Sequence, residues 1–169
     1  NVAGISAAHS TEFNPDTVGA VISELPDQKE IEGLGGTMRL GGQDVALHQG
    51  SLLSSLFGGV TEIRERFQHR YEVDPDVVAQ LEEAGLIFSG RHPHQPIMQG
   101  LELHRSVHPY FVGGQFHPEL TSRPLHPQPM FMGLVAAAIR RANPELTRSQ
   151  ISTRWLPENS DVPQAAADR

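Results

Sequence analysis

The sequence predicts one domain of mixed α/β or α+β class, and three observations lead to that prediction. The 169 residues fit a single ordinary domain with a sizeable core. Short apolar runs, which are typical of strands, are interspersed with stretches of helical periodicity. The 16 glycines and 13 prolines are spread between these runs instead of being gathered in one linker. This spread indicates short elements joined by tight turns.

The first element is predicted in the glycine-rich stretch 33–50. Its six glycines favour a β-hairpin or an irregular strand pair. Ser51 then stands where it can cap the start of a helix. That helix would carry Leu52, Leu53 and Leu56.

A second helix is predicted from about 75 to 84. Asp74 and Pro75 occupy the positions of an N-cap and a first helical residue, and Gly85 follows as a stop. The apolar face of this helix would consist of Val77, Val78 and Leu81.

Three short strands are predicted next, each bounded by Gly, Pro or His-Pro turn signals. They comprise residues 86–88, residues 100–103, and residues 110–112 together with 115–116.

The most regular helix is predicted to begin at Pro129. Its apolar residues recur at the spacing of one helix face and are Phe131, Leu134, Val135, Ala138 and Ile139. Arg140 and Arg141 close the last turn, where the helix dipole favours cations. Residues 144–169 then become polar, so we expect a domain over residues 1–143 and a flexible tail over residues 144–169.

The charge and the cysteine content exclude several classes of function. Thirteen Lys and Arg against 20 Asp and Glu leave a net charge of −7, so we expect neither a nucleic-acid partner nor an anionic lipid surface. The longest aliphatic run is far short of a bilayer span, and no targeting segment is visible, so we expect a cytoplasmic protein without a membrane segment. The sequence has no cysteine, which excludes disulfides, thiolate zinc sites and a thiol nucleophile supplied by this chain.

One pair of residues suggests catalysis. His117 and Glu119 lie two positions apart at the end of the apolar segment 111–116, and in an extended chain both side chains would point the same way. A carboxylate beside an imidazole holds one tautomer, orients the ring and stabilises the imidazolium. The pair alone is a weak signal, because a strand-end His in an ordinary hydrogen bond has the same spacing.

The longer string around this pair is more specific. Residues 115–120, Gln-Phe-His-Pro-Glu-Leu, resemble the Q-F-H-P-E motif of class I, triad-type glutamine amidotransferases. Four segments resemble the C-terminal glutaminase domain of CTP synthase, in the order of that family; they are residues 10–13, 34–41, 69–73 and 117–124. The resemblance covers about residues 1 to 141 and implies a flavodoxin-like α/β fold, of which this chain would supply the later strands and helices with the glycine-rich hairpin.

The resemblance also implies roles for single residues. His117 would be the general base and Glu119 would orient it. Glu12 and Arg70 match positions that hold the substrate L-glutamine, where a carboxylate suits the α-ammonium group. Other interpretations stay open: Glu12 as part of a capped turn, and Arg70 in a surface ion pair with Glu65 or Glu72.

Thr37 and Arg39 match a family segment that is associated with activation by GTP. Glycines there let the backbone approach a ligand, and Arg39 supplies a planar cation for phosphate or base. A glycine-rich hairpin with a solvated Arg39 is the alternative.

The departures from the family matter as much. In that family the nucleophilic Cys lies before the position that corresponds to Asn1, and a synthetase domain that uses ATP, UTP and Mg precedes the glutaminase. We therefore expect a C-terminal fragment that is inactive alone, poorly stable because of its exposed sheet edge and apolar face, and part of a homotetramer in the full enzyme. No cofactor is expected in this chain itself.

Three other functions remain open from the sequence. The chain could be a glutaminase-like binding or regulatory module without a nucleophile, or another class I amidotransferase or free glutaminase. It could also bind a metal, because several imidazoles and one carboxylate lie near each other in sequence, but their spacing matches no compact ligand set, so no metal ligand is predicted. These residues are His92, His94, His104, His108, His117, Glu119 and His126.

Overall fold

Two β-sheets organise the computed structural model, which describes residues 2–24 and 38–156. The smaller sheet has the strand order β1-β2-β5. Its strands are β1 (Ala8–Ser10), β2 (Gly19–Ser23) and β5 (Glu72–Val73). β1 runs parallel to β2, and β5 runs antiparallel to β2.

The larger sheet has five strands in the order β4-β3-β6-β7-β8, and every neighbouring pair is antiparallel. Its strands are β3 (Arg39–Leu47), β4 (Glu62–His69), β6 (Leu86–Arg91), β7 (Met98–Leu103) and β8 (Val112–Gly114). The mixture of sheets and helices confirms the predicted α/β class. Within the described ranges, the parallel pairing that typifies flavodoxin-like sheets is limited to β1 and β2.

The described part of the glycine-rich stretch forms one strand, β3, which pairs with β4 outside the stretch and not with a second strand inside it. The end of β3 is half-buried: Val45 and Leu47 are buried, whereas Asp44 is exposed. Such a pattern is typical of a strand with one face toward the core. Residues 33–37, including the predicted effector residue Thr37, lie outside the described residues.

Helix α1 (Leu52–Leu56) begins at the predicted cap. The Ser51 hydroxyl accepts a hydrogen bond from the backbone N–H of Ser54 at 3.0 Å. In addition, the buried carboxylate of Glu102 on β7 accepts the backbone N–H groups of Leu52 and Leu53, at 2.8 and 3.0 Å. Glu102 thus pairs donors that a helix start leaves free, and it ties α1 to the larger sheet.

Helix α2 (Pro75–Glu83) confirms the prediction from sequence. The Asp74 carboxylate caps it by accepting the N–H of Asp76 at 3.0 Å. Gly85 follows with φ of 95°, a left-handed conformation that favours glycine at a helix end. The first two predicted strands lie within β6 and β7, whereas the third was misplaced: β8 covers Val112–Gly114 and shares only Val112 with the predicted residues 110–112 and 115–116.

Helix α3 (Pro129–Ala142) is present as predicted, but its buried face is not the one that the apolar spacing predicted. The buried residues are Met130, Gly133 and Ala136. A Cβ atom at Gly133 would lie 2.6 Å from Leu56 and 2.7 Å from Tyr110, so the absent side chain lets α3 approach α1 closely. The larger apolar side chains face outward with exposed fractions of 40 to 56%; these are Phe131, Leu134, Val135 and Ile139.

The main core cluster joins β3, α1, β4 and α3 through Val45, Leu53, Phe67, Phe116 and Met130, among others. In the stretch predicted as a tail, residues 148–151 form a short helix, α4 (Arg148–Ile151), and Trp155 packs against this core. Residues 157–169 lie outside the described residues. Over residues 2–24 and 38–156, no helix is long and apolar enough to span a bilayer.

Candidate active site

His117 and Glu119 are in direct contact. The Nδ1 atom of His117 lies 2.7 Å from Oε1 of Glu119, and both side chains are accessible, with 37% and 58% exposed. The contact does not come from the extended chain that the spacing suggested. Pro118–Leu120 form a single 3₁₀ turn directly after His117, and this turn brings the carboxylate back to the ring.

The backbone of His117 is held firmly against β4. Its N–H donates to the carbonyl oxygen of Arg66 at 2.8 Å. The preceding Phe116 is 2% exposed and packs edge-on against Phe67 of β4, with ring centroids 6.0 Å apart. The buried Phe116 ring and the hydrogen bond to Arg66 together hold the backbone of His117 in place, although its imidazole ring reaches solvent.

The second ring nitrogen of His117 faces the carbonyl oxygen of Gln68, at 3.3 Å from Nε2. Carboxylate and carbonyl oxygens only accept hydrogen bonds, and a neutral imidazole carries a single N–H. Glu119 and the Gln68 carbonyl together therefore match the two N–H groups of an imidazolium. When Nδ1–H donates to Glu119 in the neutral ring, Nε2 is unprotonated and carries the lone pair of the ring.

The contact with His117 also changes the pKa of the Glu119 carboxyl group. The hydrogen bond from His117 lowers the pKa of Glu119, and so it stays ionised while it orients the ring.

Gln68, the residue whose carbonyl faces His117, lines an open pocket of about 530 Å³. Glu12, after β1, and Arg70, after β4, line this pocket together. The remaining lining residues are Ile22, Met38, Gln68, His69, Tyr71 and Gln115. The structure thus places in one pocket the two residues that the sequence selected for glutamine, one acidic and one basic.

The open interpretations of Glu12 and Arg70 can now be compared with the geometry. Glu12 is part of a capped turn after β1, because the Ser10 hydroxyl accepts the N–H of Glu12 at 3.2 Å and the Ser10 carbonyl accepts the N–H of Asn14 at 3.1 Å. The two carboxylates considered as partners of Arg70 bond elsewhere. Glu72 contacts Arg39 and His69, and Glu65 accepts from Thr121 and Gln128.

The guanidinium of Arg39 is directed at Glu72. Its Nε donates to Oε1 at 2.6 Å and its Nη2 to Oε2 at 3.4 Å, and only 14% of the Arg39 side chain is exposed. Burial would raise the pKa of Glu72, but hydrogen bonds from His69 and Arg39 and the Arg39 charge outweigh burial and lower it. This geometry does not fit an Arg39 side chain presented freely to an effector phosphate.

Two residues of this region, Gln115 and Gln68, were not predicted from the sequence as site residues. Gln115 belongs to the Q-F-H-P-E motif but was given no role of its own. In the structure it lines the pocket, and its Nε2 donates to the carbonyl of Tyr71 at 3.3 Å. Gln68 acts through a backbone carbonyl, which no side-chain pattern reveals.

The described residues contain no group of three or more His, Cys, Asp or Glu side chains placed to hold a metal ion. His92 and His94 instead contact each other, with ring centroids 6.2 Å apart.

Comparison with known proteins agrees with this geometry. A family model described as Glutamine amidotransferase class-I matches residues 5–137. The CTP synthase of Methanopyrus kandleri is 52% identical over 138 residues, which are 82% of this chain and 25% of that protein. The CTP synthase of a Nocardioides species is 50% identical over 145 residues, which are 83% of this chain and 25% of that protein. The chain thus spans about a quarter of the length of these curated relatives.

A solved structure is also similar. The glutaminase domain of Trypanosoma brucei CTPS, determined with bound acivicin, has a TM-score of 0.74 and 30% sequence identity to this chain. The match covers 91% of this chain and 58% of that one.

Proposed function

Because the chain belongs to the class-I glutamine amidotransferase family and its relatives are CTP synthases, we propose that it acts as the glutaminase half of a CTP synthase. It releases ammonia from L-glutamine, and a synthetase domain uses that ammonia with ATP and Mg to convert UTP to CTP. The reaction takes place in the cytoplasm, in an enzyme that is a homotetramer. The tetramer rests on the family resemblance alone.

One observation carries the proposal: the His117–Glu119 pair contacts, through Nε2 of His117, the carbonyl of Gln68, and Gln68 lines the same pocket as Glu12 and Arg70. A base with its orienting carboxylate is the part of a nucleophile–base–orienter triad that side chains of this chain can supply. A nearby carboxylate and guanidinium provide for the two charged ends of an α-amino acid. The carboxylate of Glu12 takes the α-ammonium group, and Arg70 takes the α-carboxylate through its side chain or its backbone N–H.

The chemistry follows from the positions of the two ring nitrogens. Nε2 of His117 takes the proton of a cysteine thiol, while Nδ1–H remains hydrogen-bonded to Glu119. The thiolate attacks the side-chain amide carbon of glutamine, and the imidazolium returns the proton to the leaving nitrogen. Ammonia departs and a thioester remains, which water hydrolyses to glutamate and the free thiol.

The thiol comes from outside these 169 residues, because the sequence contains no cysteine. Donors for the oxyanion of the tetrahedral intermediate are expected beside that cysteine. The chain alone is therefore inactive in this proposal. The absence of a cysteine also favours a second candidate, a glutaminase-like module that binds glutamine or a partner and hydrolyses nothing.

GTP activation is kept as an expectation from the family. Thr37 lies outside the described residues, and the Arg39 guanidinium is held by Glu72. No step of the mechanism above passes through GTP.

A graft tests the proposal. This chain replaces the matching quarter of the Nocardioides CTP synthase, and CTP formation is measured with glutamine and, separately, with ammonia. We expect both activities, because the relative supplies the nucleophile and the synthetase. Ammonia-dependent activity without glutamine-dependent activity, in a graft that still binds glutamine, would instead support the binding module.

A further inference from the structure

Glu72 is a fully buried carboxylate that holds two cation-forming side chains. Its side chain is 0% exposed, and its Oε1 lies 2.6 Å from Nε of Arg39 and 2.9 Å from Nε2 of His69. Those two side chains are themselves only 14% and 10% exposed. A buried charge is stable only when it is paired and hydrogen-bonded, and so the three groups must stay together in the folded chain.

The cluster joins the two sheets. Glu72 belongs to β5 and stands opposite Ser23 of β2 in the smaller sheet. Arg39 and His69 stand opposite each other on β3 and β4 of the larger sheet. The carboxylate therefore links the two sheets at the place where the pocket takes residues from both, for example Ile22 from β2 and Gln68 from β4.

The same cluster closes the turn that carries Arg70. Only Arg70 and Tyr71 lie between His69 at the end of β4 and Glu72 at the start of β5. The His69–Glu72 hydrogen bond fastens the two ends of this turn to each other, and Gln115 adds a hydrogen bond to the carbonyl of Tyr71.

His69 faces Glu72 with one side of its ring. The Nε2–H tautomer donates to Glu72, and Nδ1 is then a buried acceptor without a partner among the described residues. The ring also packs on Phe67, with ring centroids 5.6 Å apart. Packing on Phe67 and the hydrogen bond to Glu72 therefore determine the position of the His69 side chain. Through this hydrogen bond Glu72 holds the end of β4 from which the turn starts.

We propose that Glu72 is a positioning residue for glutamine: by holding His69 and Arg39, it fixes the turn that places Arg70 in the pocket. The inference rests on the proposed function, because it takes the pocket to be the glutamine site. Glu72 lines no part of that pocket as described, so its effect reaches the substrate through Arg70 and Tyr71.

The test compares two isosteric substitutions. Glu72→Gln keeps the shape of the side chain and removes its charge. Glu82→Gln is the matched control, because the Glu82 carboxylate accepts from the Arg91 guanidinium at the same distance of 2.6 Å, but on the accessible surface of α2. Each substitution is made in the grafted CTP synthase described above, and KM for glutamine and kcat are measured with glutamine as the nitrogen source.

We expect Glu72→Gln to raise KM for glutamine about tenfold, the effect of misplacing one charge-assisted contact. We expect kcat to stay within about threefold, because His117 and Glu119 are untouched. Glu82→Gln should change neither constant. An unchanged KM, or a fall in kcat at unchanged KM, would overturn the proposal, because it would assign Glu72 a purely structural role.

A second measurement separates this inference from the proposed function. Amide hydrogen exchange at Asp74, whose N–H donates to the Val21 carbonyl at 2.9 Å directly after β5, is followed in the grafted enzyme without glutamine, where no turnover is required. We expect exchange at least about tenfold faster in Glu72→Gln than in Glu82→Gln. Equal exchange would overturn the inference even if the graft hydrolyses glutamine. Faster exchange in a graft that shows no glutamine-dependent activity would reject the proposed function alone.

His69→Phe provides a variant that leaves the Arg39–Glu72 pair intact. It removes the Nε2 donor and keeps a ring against Phe67. We expect His69→Phe to raise KM for glutamine and to speed amide exchange, as Glu72→Gln does, but by smaller factors. If Glu72→Gln fails to fold, an unchanged KM and unchanged exchange in His69→Phe overturn the proposal.

Discussion

His117 and Glu119 are joined at 2.7 Å through a single 3₁₀ turn, and the contact lies at the surface. Exposed ion pairs contribute little to folding stability. In the proposed mechanism the pair acts on the imidazole itself: the Glu119 carboxylate selects the Nδ1–H tautomer and leaves Nε2 as the base. Loss of the pair should therefore lower activity and leave folding stability unchanged.

Glu119→Gln should lower glutamine-dependent kcat in the grafted enzyme on the order of 100-fold. The amide keeps the size of the side chain but cannot stabilise the imidazolium with a negative charge. Ammonia-dependent CTP formation and the thermal unfolding of the enzyme should be unchanged. A loss of less than about twofold in kcat would show that the carboxylate does not orient the base.

Substitution of the two charged pocket residues should weaken glutamine binding and spare the chemistry. Glu12→Gln and Arg70→Met each remove one charge at nearly constant volume, and we expect KM for glutamine to rise about tenfold in each. Glu62→Gln and Arg64→Met are the controls, because they make the same changes on β4 outside the residues that line the pocket. Equal effects in the two pairs would argue against a glutamine site here.

The buried carboxylate of Glu102 should be important for stability alone. Glu102→Gln replaces one of the two acceptor oxygens that receive the N–H groups of Leu52 and Leu53 with a donor. We expect a loss of about 1–3 kcal/mol in the free energy of unfolding. Urea unfolding of the chain in a stabilising osmolyte, followed by the fluorescence of its single tryptophan, measures this loss.

The control for Glu102 is Asp44→Asn, which removes an exposed ion pair with Arg64. We expect a change within about 0.5 kcal/mol for this control. A larger loss there than in Glu102→Gln would contradict the burial argument.

The Glu72 cluster should make stability depend on acid pH. Its donors place the pKa of Glu72 below the ordinary value of 4.5, so the unfolded chain binds the proton more tightly than the folded chain does. The carboxylate then contributes stability that is fully present above pH 4.5 and is lost as pH falls through the folded-state pKa. The difference in unfolding free energy between the unchanged chain and Glu72→Gln should be larger at about pH 7 than at about pH 3. A difference that does not vary between these pH values would contradict the assigned pKa direction.

Much of the site could be predicted because its residues stand in short, ordered motifs. His117, Glu119, Glu12 and Arg70 were all selected from such motifs; in the structure His117 contacts Glu119, and Glu12 and Arg70 line one pocket. The link from β3 to β5 through Glu72 could not be predicted, because it depends on the register that sets Arg39 opposite His69. Pairing register between distant strands is a tertiary property that local spacing does not encode.

The fold shows the same limit. Local signals predicted α2 with its Asp74 cap and its Gly85 stop, since capping and left-handed glycine depend on neighbouring residues only. The burial of α3 could not be predicted from periodicity. Its small residues, above all Gly133, make the close contact, while its large apolar side chains face outward.

The central claim is that His117 is the base of a glutaminase, and His117→Ala in the grafted enzyme tests it most directly. We measure CTP formation with glutamine and with ammonia in the same preparation. The account predicts that glutamine-dependent activity falls to less than about one hundredth while ammonia-dependent activity is retained. Equal loss of both activities, or glutamine-dependent activity that survives the substitution, would contradict it.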